Sequence, residues 1–165
     1  MNKLALVRPY AAKVATPFAI LGLRTNGVAL TSLTYLPLSE RPAAPADRVA
    51  EKAMRELERY LADPAYRFTV ALAPSGTAFQ QRVWAALAEI PRGQSRTYGE
   101  VARLVRTAPR AVGQACGANP IALIIPCHRV IGAQGSLGGF MNAEDGDPIA
   151  IKRWLLAHEG YRFGA

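Results

Sequence analysis

A Pro-Ser-Gly segment at residues 74–76 divides the chain into two parts whose apolar residues follow different spacings. Between residues 18 and 36, apolar and polar residues alternate loosely around Asn26-Gly27, the dipeptide that best supports a type I′ hairpin turn. After residue 76, apolar residues recur at the three- and four-residue intervals of helices. These patterns predict an α+β chain, with a small α/β domain at 1–75 and a mostly helical domain at 76–165.

The first part also contains signals for a helix and a further strand. A proline-alanine stretch at residues 41–46 leads to Asp47, a suitable N-cap for a helix that continues to about Ala62. Residues 68–72 are apolar enough to predict another strand. We therefore expect an α/β unit that combines strands with one helix.

Two neighbouring helices are predicted in the second part from their start signals. Thr97 and Glu100 form a capping box for a helix that reaches about Val105, and Pro109 suits the first position of the next helix. That next helix begins with Arg110 and then carries small residues, namely Ala111, Gly113, Ala115, Gly117 and Ala118. The pair is compatible with a helix-turn-helix that contacts nucleic acid and, more often for such a pattern alone, with a plain helical hairpin.

An apolar run at residues 121–125 predicts a buried strand that ends at Pro126 and Cys127. Cysteine is nucleophilic as a thiolate, and the adjacent His128 and Arg129 are expected to lower the pKa of the Cys127 thiol. Cys127 is therefore a candidate nucleophile. The alternative is a buried structural cysteine beside surface basic residues.

The chain is strongly basic, with a net charge of +8 and a pI near 10.0. Six arginines lie between Arg92 and Arg129, against one acidic residue, Glu100. This distribution favours a polyanionic partner or an anionic surface, although solubility alone also accounts for a high charge.

Composition disfavours several other classes of protein. The two cysteines, Cys116 and Cys127, are too few for a disulfide framework or a cysteine zinc site, which fits a reduced, cytoplasmic setting. The longest apolar run, at residues 121–125, is far too short to span a bilayer, and the N-terminus lacks a continuous signal-peptide core. We expect a protein without a membrane or export address and without a metal.

The segment Pro-Cys-His-Arg-Val-Ile-Gly at residues 126–132 closely resembles the active-site signature of the O6-alkylguanine-DNA alkyltransferases. Further motifs occur in the family's order and at similar spacing, at residues 90–93, 97–102, 110–113, 119–120 and 154–160. The resemblance covers about residues 76–160. It implies a ribonuclease-H-like N-terminal domain, followed by a winged-helix-like catalytic domain that contains a helix-turn-helix.

The same resemblance implies DNA repair by direct alkyl transfer. The alkyl group of O6-alkylguanine, with O4-alkylthymine as a further candidate substrate, passes to Cys127 and stays there, so each molecule acts once. The implied partner is double-stranded DNA that contains alkylated guanine, bound by a monomer, and no cofactor is needed. Because the alkylated oxygen lies inside the duplex, the damaged base must be flipped out of the DNA helix.

The resemblance assigns catalytic roles to five residues. In the family, the histidine after the cysteine contacts it through water and is oriented by a glutamate of the last helix, which points to Cys127, His128 and Glu159. Asn119 matches an asparagine that holds nearby backbone in place. Tyr98 matches a tyrosine that crowds the DNA backbone and can protonate the departing guanine. Without the resemblance, an Asn-Pro turn and a half-buried aromatic residue would explain Asn119 and Tyr98.

Glu159 also stands out on physical grounds. A last helix is expected from Asp147-Pro148 to just before Gly160. A carboxylate in the last turn of a helix opposes the helix dipole, so Glu159 should need a compensating partner unless that helix end is solvated.

The residues expected at the DNA and in the substrate pocket form two sets. Arg110 matches the arginine that fills the gap left by the flipped base, and the small residues of its helix fit a minor-groove approach dominated by phosphate contacts. The DNA-binding set is Arg110, Tyr98, Ala111, Gly113 and Arg129. The substrate-pocket set is Pro126, Val130, Gly138, Phe140 and Met141.

The predicted binding loop departs from human-like members of the family. Phe140 and Met141 stand where those members have tyrosine and serine, and the loop adds the acidic residues Glu144, Asp145 and Asp147. We therefore expect contacts to the alkylated base from the main chain of a glycine-rich loop and not from these two side chains.

Two other functions remain open from the sequence. A non-catalytic alkyltransferase-like protein binds the same lesions, but its hallmark is a tryptophan in place of the nucleophile, and the presence of Cys127 favours catalysis. A helix-turn-helix regulator whose Cys127 senses alkylation is disfavoured because no second DNA-reading module or effector domain is evident.

Overall fold

The computed structural model describes residues 9–143 and 147–164, so the predictions made for Glu144 and Asp145 lie outside the described residues. The first part of the chain contains an antiparallel sheet in the order β1-β2-β3. Its strands are β1 (Ala12–Ala15), β2 (Ile20–Thr25) and β3 (Leu30–Leu36). Helix α1 (Arg48–Ala62) packs on this sheet through an apolar face that includes Ala50, Ala53, Leu57 and Tyr60.

The predicted hairpin between β2 and β3 is confirmed, but its predicted type I′ turn is wrong. A type I′ turn needs positive φ at both central residues, and of Asn26 and Gly27 only Gly27 has it, at 86°. Instead, the Asn26 side-chain oxygen accepts hydrogen bonds from the backbone of Val28 (2.9 Å) and Ala29 (2.8 Å). The Asn26 side chain therefore supports a longer connection than a two-residue turn.

The Asp47 N-cap is confirmed, since its carboxylate accepts a hydrogen bond from the Ala50 backbone at 2.8 Å. The strand predicted at residues 68–72 does not form, and its end pairs with β3 only through an isolated parallel bridge, in which Leu30 N donates to Ala71 O at 2.8 Å and Ala73 N donates to Leu30 O at 2.9 Å. Backbone groups that a strand would pair with a neighbour are taken by the buried Glu56 carboxylate, which accepts from Thr69 N and Val70 N, each at 3.0 Å. A side chain of α1 thus replaces a strand partner at Thr69 and Val70.

The second part is mostly helical, as predicted. It contains α2 (Ala78–Ala88), α3 (Tyr98–Val105), α4 (Pro109–Gly117) and α5 (Asp147–His158). Two short parallel strands, β4 (Arg96–Thr97) and β5 (Val130–Ile131), lie among them. The predicted capping box is confirmed, with Glu100 N to Thr97 Oγ1 at 3.1 Å and Thr97 N to Glu100 Oε2 at 2.7 Å.

The apolar run before the candidate nucleophile is buried, but the predicted strand is wrong. Residues 121–125 fold into a turn, in which Ile125 N donates to Ile121 O at 3.0 Å and Leu123 takes a φ of 97°. Asn119 supports this turn from both sides: its amide nitrogen donates to Ile125 O (2.8 Å) and its oxygen accepts from Ile121 N (3.0 Å). These bonds supply partners that a neighbouring strand would otherwise provide.

Buried residues of the two parts form one continuous core. The parts are also joined by hydrogen bonds from Leu33 N to Pro120 O (2.8 Å) and from the Tyr35 hydroxyl to Ala122 O (3.1 Å). The mixed α+β architecture expected from the sequence is therefore confirmed. Among the described helices, none combines the length and the apolar character needed to cross a membrane.

Candidate active site

Cys127 begins a short 3₁₀ helix (Cys127–Arg129) directly after the turn at residues 121–125. Only 3% of Cys127 is exposed, and it lies on the wall of a cavity of about 510 Å³. The other walls come from α3, from the outer face of α4 and from the loop at residues 138–143. The cavity is lined by Tyr98, Pro109, Arg110, Gly113, Gln114, Cys116, Gly117, Cys127, Gly138, Gly139, Phe140, Met141, Asn142 and Ala143.

The loop at residues 138–143 is held in a defined shape across the cavity. The Tyr98 hydroxyl donates to Gly139 O at 3.3 Å, and Asn142 Nδ2 donates to Gly117 O at 3.0 Å. Gly138 has a φ of 68°, and a Cβ there would lie 2.7 Å from the Tyr98 ring. Glycine is therefore required at residue 138 both by the backbone and by the close approach of Tyr98.

The prediction that its neighbours lower the pKa of Cys127 is wrong. Burial raises the pKa of the Cys127 thiol to about 11, although the Asn119 amide and the Lys152 ammonium act in the opposite direction. Desolvation of the thiolate outweighs both contacts. At neutral pH the resting side chain is a thiol, so a reaction at its sulfur needs a base to remove the proton.

Glu159 follows α5 directly and binds both residues after the cysteine. Its Oε1 atom lies 2.9 Å from His128 Nε2 and 2.8 Å from Arg129 Nη2, while Oε2 accepts from Arg129 Nε at 2.9 Å. Burial raises the pKa of Glu159, but the hydrogen bonds and charges of His128 and Arg129 outweigh it, so the pKa is well below 4.5. The carboxylate is therefore ionised at neutral pH.

The ionised carboxylate also determines the tautomer of His128. Burial lowers the pKa of His128, with Glu159 acting against that shift, so the imidazole is neutral at pH 7. An ionised carboxylate can only accept a hydrogen bond, so the single ring proton must sit on Nε2, facing Glu159. The Nδ1 atom then carries a free lone pair, and among the described residues it has no hydrogen-bond partner.

The Arg129 side chain points into the protein and is hydrogen-bonded there. Besides its two nitrogens on Glu159, its Nη1 donates to Ile90 O at 2.6 Å, and its side chain is 15% exposed. Every nitrogen of the guanidinium is thus bonded, which disfavours the phosphate contact expected for Arg129 from the sequence. Arg129 instead provides the positive partner that a carboxylate at a helix C-terminus requires.

Lys152 is a buried charged residue that the sequence interpretation missed. It lies on the inner face of α5 and is fully buried, with Nζ donating to Val130 O at 2.6 Å and to Gly139 O at 2.9 Å. Burial lowers the pKa of Lys152 to about 8, and the negative charge that Cys127 and Cys116 carry as thiolates acts in the opposite direction. A lysine between apolar residues on the buried face of an amphipathic helix is a signal that could have identified it.

Comparison with known proteins identifies the family to which the chain belongs. Residues 78–161 match the family model described as 6-O-methylguanine DNA methyltransferase, DNA binding domain. A curated relative named methylated-DNA–protein-cysteine methyltransferase, from Methanosarcina barkeri, is 42% identical over 153 residues, covering 88% of this chain and 94% of the relative. The chain belongs to the O6-methylguanine-DNA methyltransferase family.

Other family members extend the similarity over nearly the whole chain. The Mycobacterium tuberculosis methylated-DNA–protein-cysteine methyltransferase is 43% identical over 155 residues, covering 90% of this chain and 91% of the relative. The crystal structure of that organism's O6-methylguanine methyltransferase has a TM-score of 0.77 at 41% identity and covers 93% of each chain. A structure of the Mycobacterium tuberculosis protein in complex with DNA also gives 0.77, at 43% identity, and covers 89% of this chain and 90% of that chain.

The structure brings together only part of the predicted site. The predicted residues that line the cavity are Tyr98, Arg110, Gly113, Cys127, Gly138, Phe140 and Met141. His128 and Glu159 lie buried behind Cys127, and Asn119 supports the preceding turn. The predicted pocket residues Pro126 and Val130 do not line this cavity, nor does Ala111. In the described ranges no three His, Cys, Asp or Glu side chains are grouped in a way that could hold a metal ion.

Proposed function

We propose that the protein repairs DNA by transferring an alkyl group from O6-alkylguanine to Cys127, once per molecule and without a cofactor. Its family membership supports DNA repair by alkyl transfer. The observation that carries the assignment to Cys127 is its place on the wall of a cavity, next to a histidine whose Nε2 faces a buried, ionised Glu159. Cys116 also lines the cavity but has no such neighbour.

The chemistry begins with removal of the thiol proton. His128 accepts it at Nδ1, directly or through a water molecule as the family resemblance implies. Glu159 stabilises the imidazolium that results, and Arg129 keeps Glu159 ionised and in place. Burial keeps the resting Cys127 side chain protonated, so the reactive thiolate forms only when His128 removes this proton.

The thiolate then attacks the alkyl carbon in a single displacement. The new sulfur–carbon bond forms as the bond between that carbon and O6 of guanine breaks, and the electron pair leaves with the guanine. Burial raises the pKa of Tyr98 to about 12, so its hydroxyl is protonated at neutral pH and can stabilise the departing base by donating a hydrogen bond to it. The thioether left on Cys127 has no route back to a thiol, so the protein reacts once.

DNA binding is proposed to use α3 and α4 as a helix-turn-helix in the minor groove, within a winged-helix-like domain at residues 76–165. Arg110 is exposed at the start of α4 and also lines the cavity, which suits a side chain that replaces a flipped base. Small residues on α4 permit a close approach to the DNA backbone. The structure of the Mycobacterium tuberculosis relative in complex with DNA supports DNA as the partner, and the proposed partner here is double-stranded DNA.

The remaining proposals concern the surroundings of this domain. Residues 1–75 form a ribonuclease-H-like domain that supports the site, and the protein acts as a monomer in the cytoplasm. The free thiols of Cys116 and Cys127 support a reducing compartment. Main-chain groups of the loop at residues 138–141, and not the side chains of Phe140 and Met141, contact the alkylated base.

The decisive experiment measures the intact mass of the protein after incubation with a duplex oligonucleotide that contains O6-methylguanine. We expect a gain of one methyl group, located on Cys127 by peptide mapping. Cys116→Ser should react like the unmodified protein, and Cys127→Ala should not react. Tight binding without any gain in mass would instead favour a non-catalytic lesion-binding protein. A methyl group on Cys116 would overturn the assignment of the nucleophile.

A further inference from the structure

We propose that Tyr60, on α1 in the first part of the chain, is a positioning residue of the alkyl-transfer site that acts through the Glu159 carboxylate. This inference rests on the proposed function. Tyr60 lies 99 positions before Glu159 in the sequence and outside the segment matched by the family model. The first part of the chain would thus contribute directly to the reactive site.

Three donors converge on one oxygen of Glu159. The Tyr60 hydroxyl donates to Oε1 at 2.8 Å, and the same oxygen is contacted by His128 Nε2 at 2.9 Å and Arg129 Nη2 at 2.8 Å. Tyr60 is 2% exposed and the Glu159 side chain is fully buried, so water does not compete for these contacts. A hydrogen bond to a buried carboxylate is stronger than one between neutral groups.

The tyrosine is itself held on several sides. Its backbone carbonyl lies 2.8 Å from His158 Nε2, and its ring meets the edge of the His158 ring at 5.2 Å. Phe68 packs on the same ring at a centroid distance of 5.5 Å. Burial raises the pKa of Tyr60 far above its ordinary value, and the charge of Glu159 adds to the effect. The hydroxyl therefore stays protonated and keeps its role as a donor.

The hydrogen bond from Tyr60 to Glu159 affects the pKa of His128, the proposed base. By donating to Oε1, Tyr60 draws negative charge away from the oxygen that faces His128, so the carboxylate stabilises a protonated His128 less strongly. This lowers the pH below which His128 becomes protonated and can no longer accept the Cys127 proton. The charged or titratable groups packed around Tyr60, Glu159 and His128 are Arg129, Lys152, His158 and Tyr35.

The test compares Tyr60→Phe with Tyr66→Phe in the full-length protein. Tyr66 is a matched control because its hydroxyl also donates to a buried carboxylate, that of Glu56 at 3.1 Å, which lies outside the candidate site. The phenylalanine at residue 60 keeps the ring contacts with Phe68 and His158. Two rates are measured against pH: methyl transfer from an O6-methylguanine duplex, and modification of Cys127 by iodoacetamide, located by peptide mapping.

In Tyr60→Phe we expect the pH below which both rates fall to move upward by roughly half a unit, with less than about a twofold loss of methyl transfer at pH 7, because most of His128 is still neutral at that pH. Tyr66→Phe should behave like the unmodified protein. The same upward shift should appear in a proton NMR titration of the His128 ring, which measures the base directly. Glu159→Gln should abolish the effect, so adding Tyr60→Phe to it should change neither profile further.

Coincident pH profiles for the unmodified protein and Tyr60→Phe would overturn the proposal. An equal shift in Tyr66→Phe, or a full additional shift in the double variant with Glu159→Gln, would overturn it as well. If the iodoacetamide profile shifts in Tyr60→Phe while the unmodified protein transfers no methyl group from DNA, the positioning role is supported and the proposed function fails.

Discussion

Arg129→Met tests whether the Arg129 side chain stabilises the buried Glu159 carboxylate or contacts DNA. In the structure its guanidinium bonds Glu159 through two nitrogens and Ile90 O through the third. The substitution leaves the buried carboxylate with His128 and Tyr60 but without its positive partner. Removing one member of a buried ion pair costs about 3–5 kcal/mol, because the remaining charge stays desolvated.

For a chain of 165 residues, each kcal/mol lowers the midpoint of thermal unfolding by about 2–4 °C, so we expect a fall of roughly 6–20 °C. Urea denaturation at pH 7 gives the free energy of unfolding independently. Arg92→Met is the matched control, since Arg92 is an exposed arginine, and it should change stability by less than about 0.5 kcal/mol.

The dependence on pH provides a second check. The folded-state pKa of Glu159 lies below its ordinary value of 4.5, so its contribution to stability is complete above that value and is lost as the pH falls toward the folded-state pKa. Without Arg129 the pKa of Glu159 is lowered less. The stability gap between Arg129→Met and the unmodified protein should therefore be constant above about pH 5 and narrow at lower pH.

Two results would refute this interpretation of Arg129. One is a loss of stability below about 1 kcal/mol at pH 7, which would mean that the buried pair is not needed to compensate Glu159. The other is unchanged stability with a clear loss of affinity for undamaged duplex DNA, which would restore the phosphate contact expected from the sequence.

Three further predictions concern the DNA-facing side. Arg110→Ala should react with free O6-benzylguanine at a nearly unchanged rate but repair a lesion in duplex DNA much more slowly, because flipping a base costs a few kcal/mol; an equal loss on both substrates would contradict a role in flipping. Affinity for undamaged duplex should fall steeply with salt in a titration by fluorescence anisotropy, since exposed arginines such as Arg103 and Arg106 neutralise phosphates; a flat response would refute a backbone-dominated contact. Gly138→Ala should slow methyl transfer at least tenfold, because the new methyl group meets Tyr98 at a positive φ, and a rate near that of the unmodified protein would show that the loop adapts.

The helix starts were predictable from the sequence because the contacts that produce them join residues a few positions apart. The Asp47 cap, the capping box of Thr97 and Glu100 and the helix start at Pro109 all appear in the structure where they were expected. The signature around Cys127 likewise identified the family, which the comparisons confirm.

Features that depend on distant partners were not predictable in the same way. The sequence predicts a strand at residues 68–72. In the structure, the backbone of Thr69 and Val70 donates instead to the side chain of Glu56, which lies more than ten positions earlier in the chain. The run at residues 121–125 is as buried as predicted, but hydrophobicity specifies burial and not the backbone path, which the side chain of Asn119 decides.

The electrostatics of the site also depend partly on neighbours in the sequence and partly on distant residues. The sequence by itself determined that a cysteine, a histidine and an arginine are adjacent, and that a carboxylate ends the last helix. Only the tertiary structure decided that burial raises the pKa of Cys127, that Arg129 turns inward to Glu159, and that Tyr60 completes the carboxylate's contacts. The physical reason is that desolvation and charge pairing depend on what surrounds a group in space, and adjacency along the chain does not specify those surroundings.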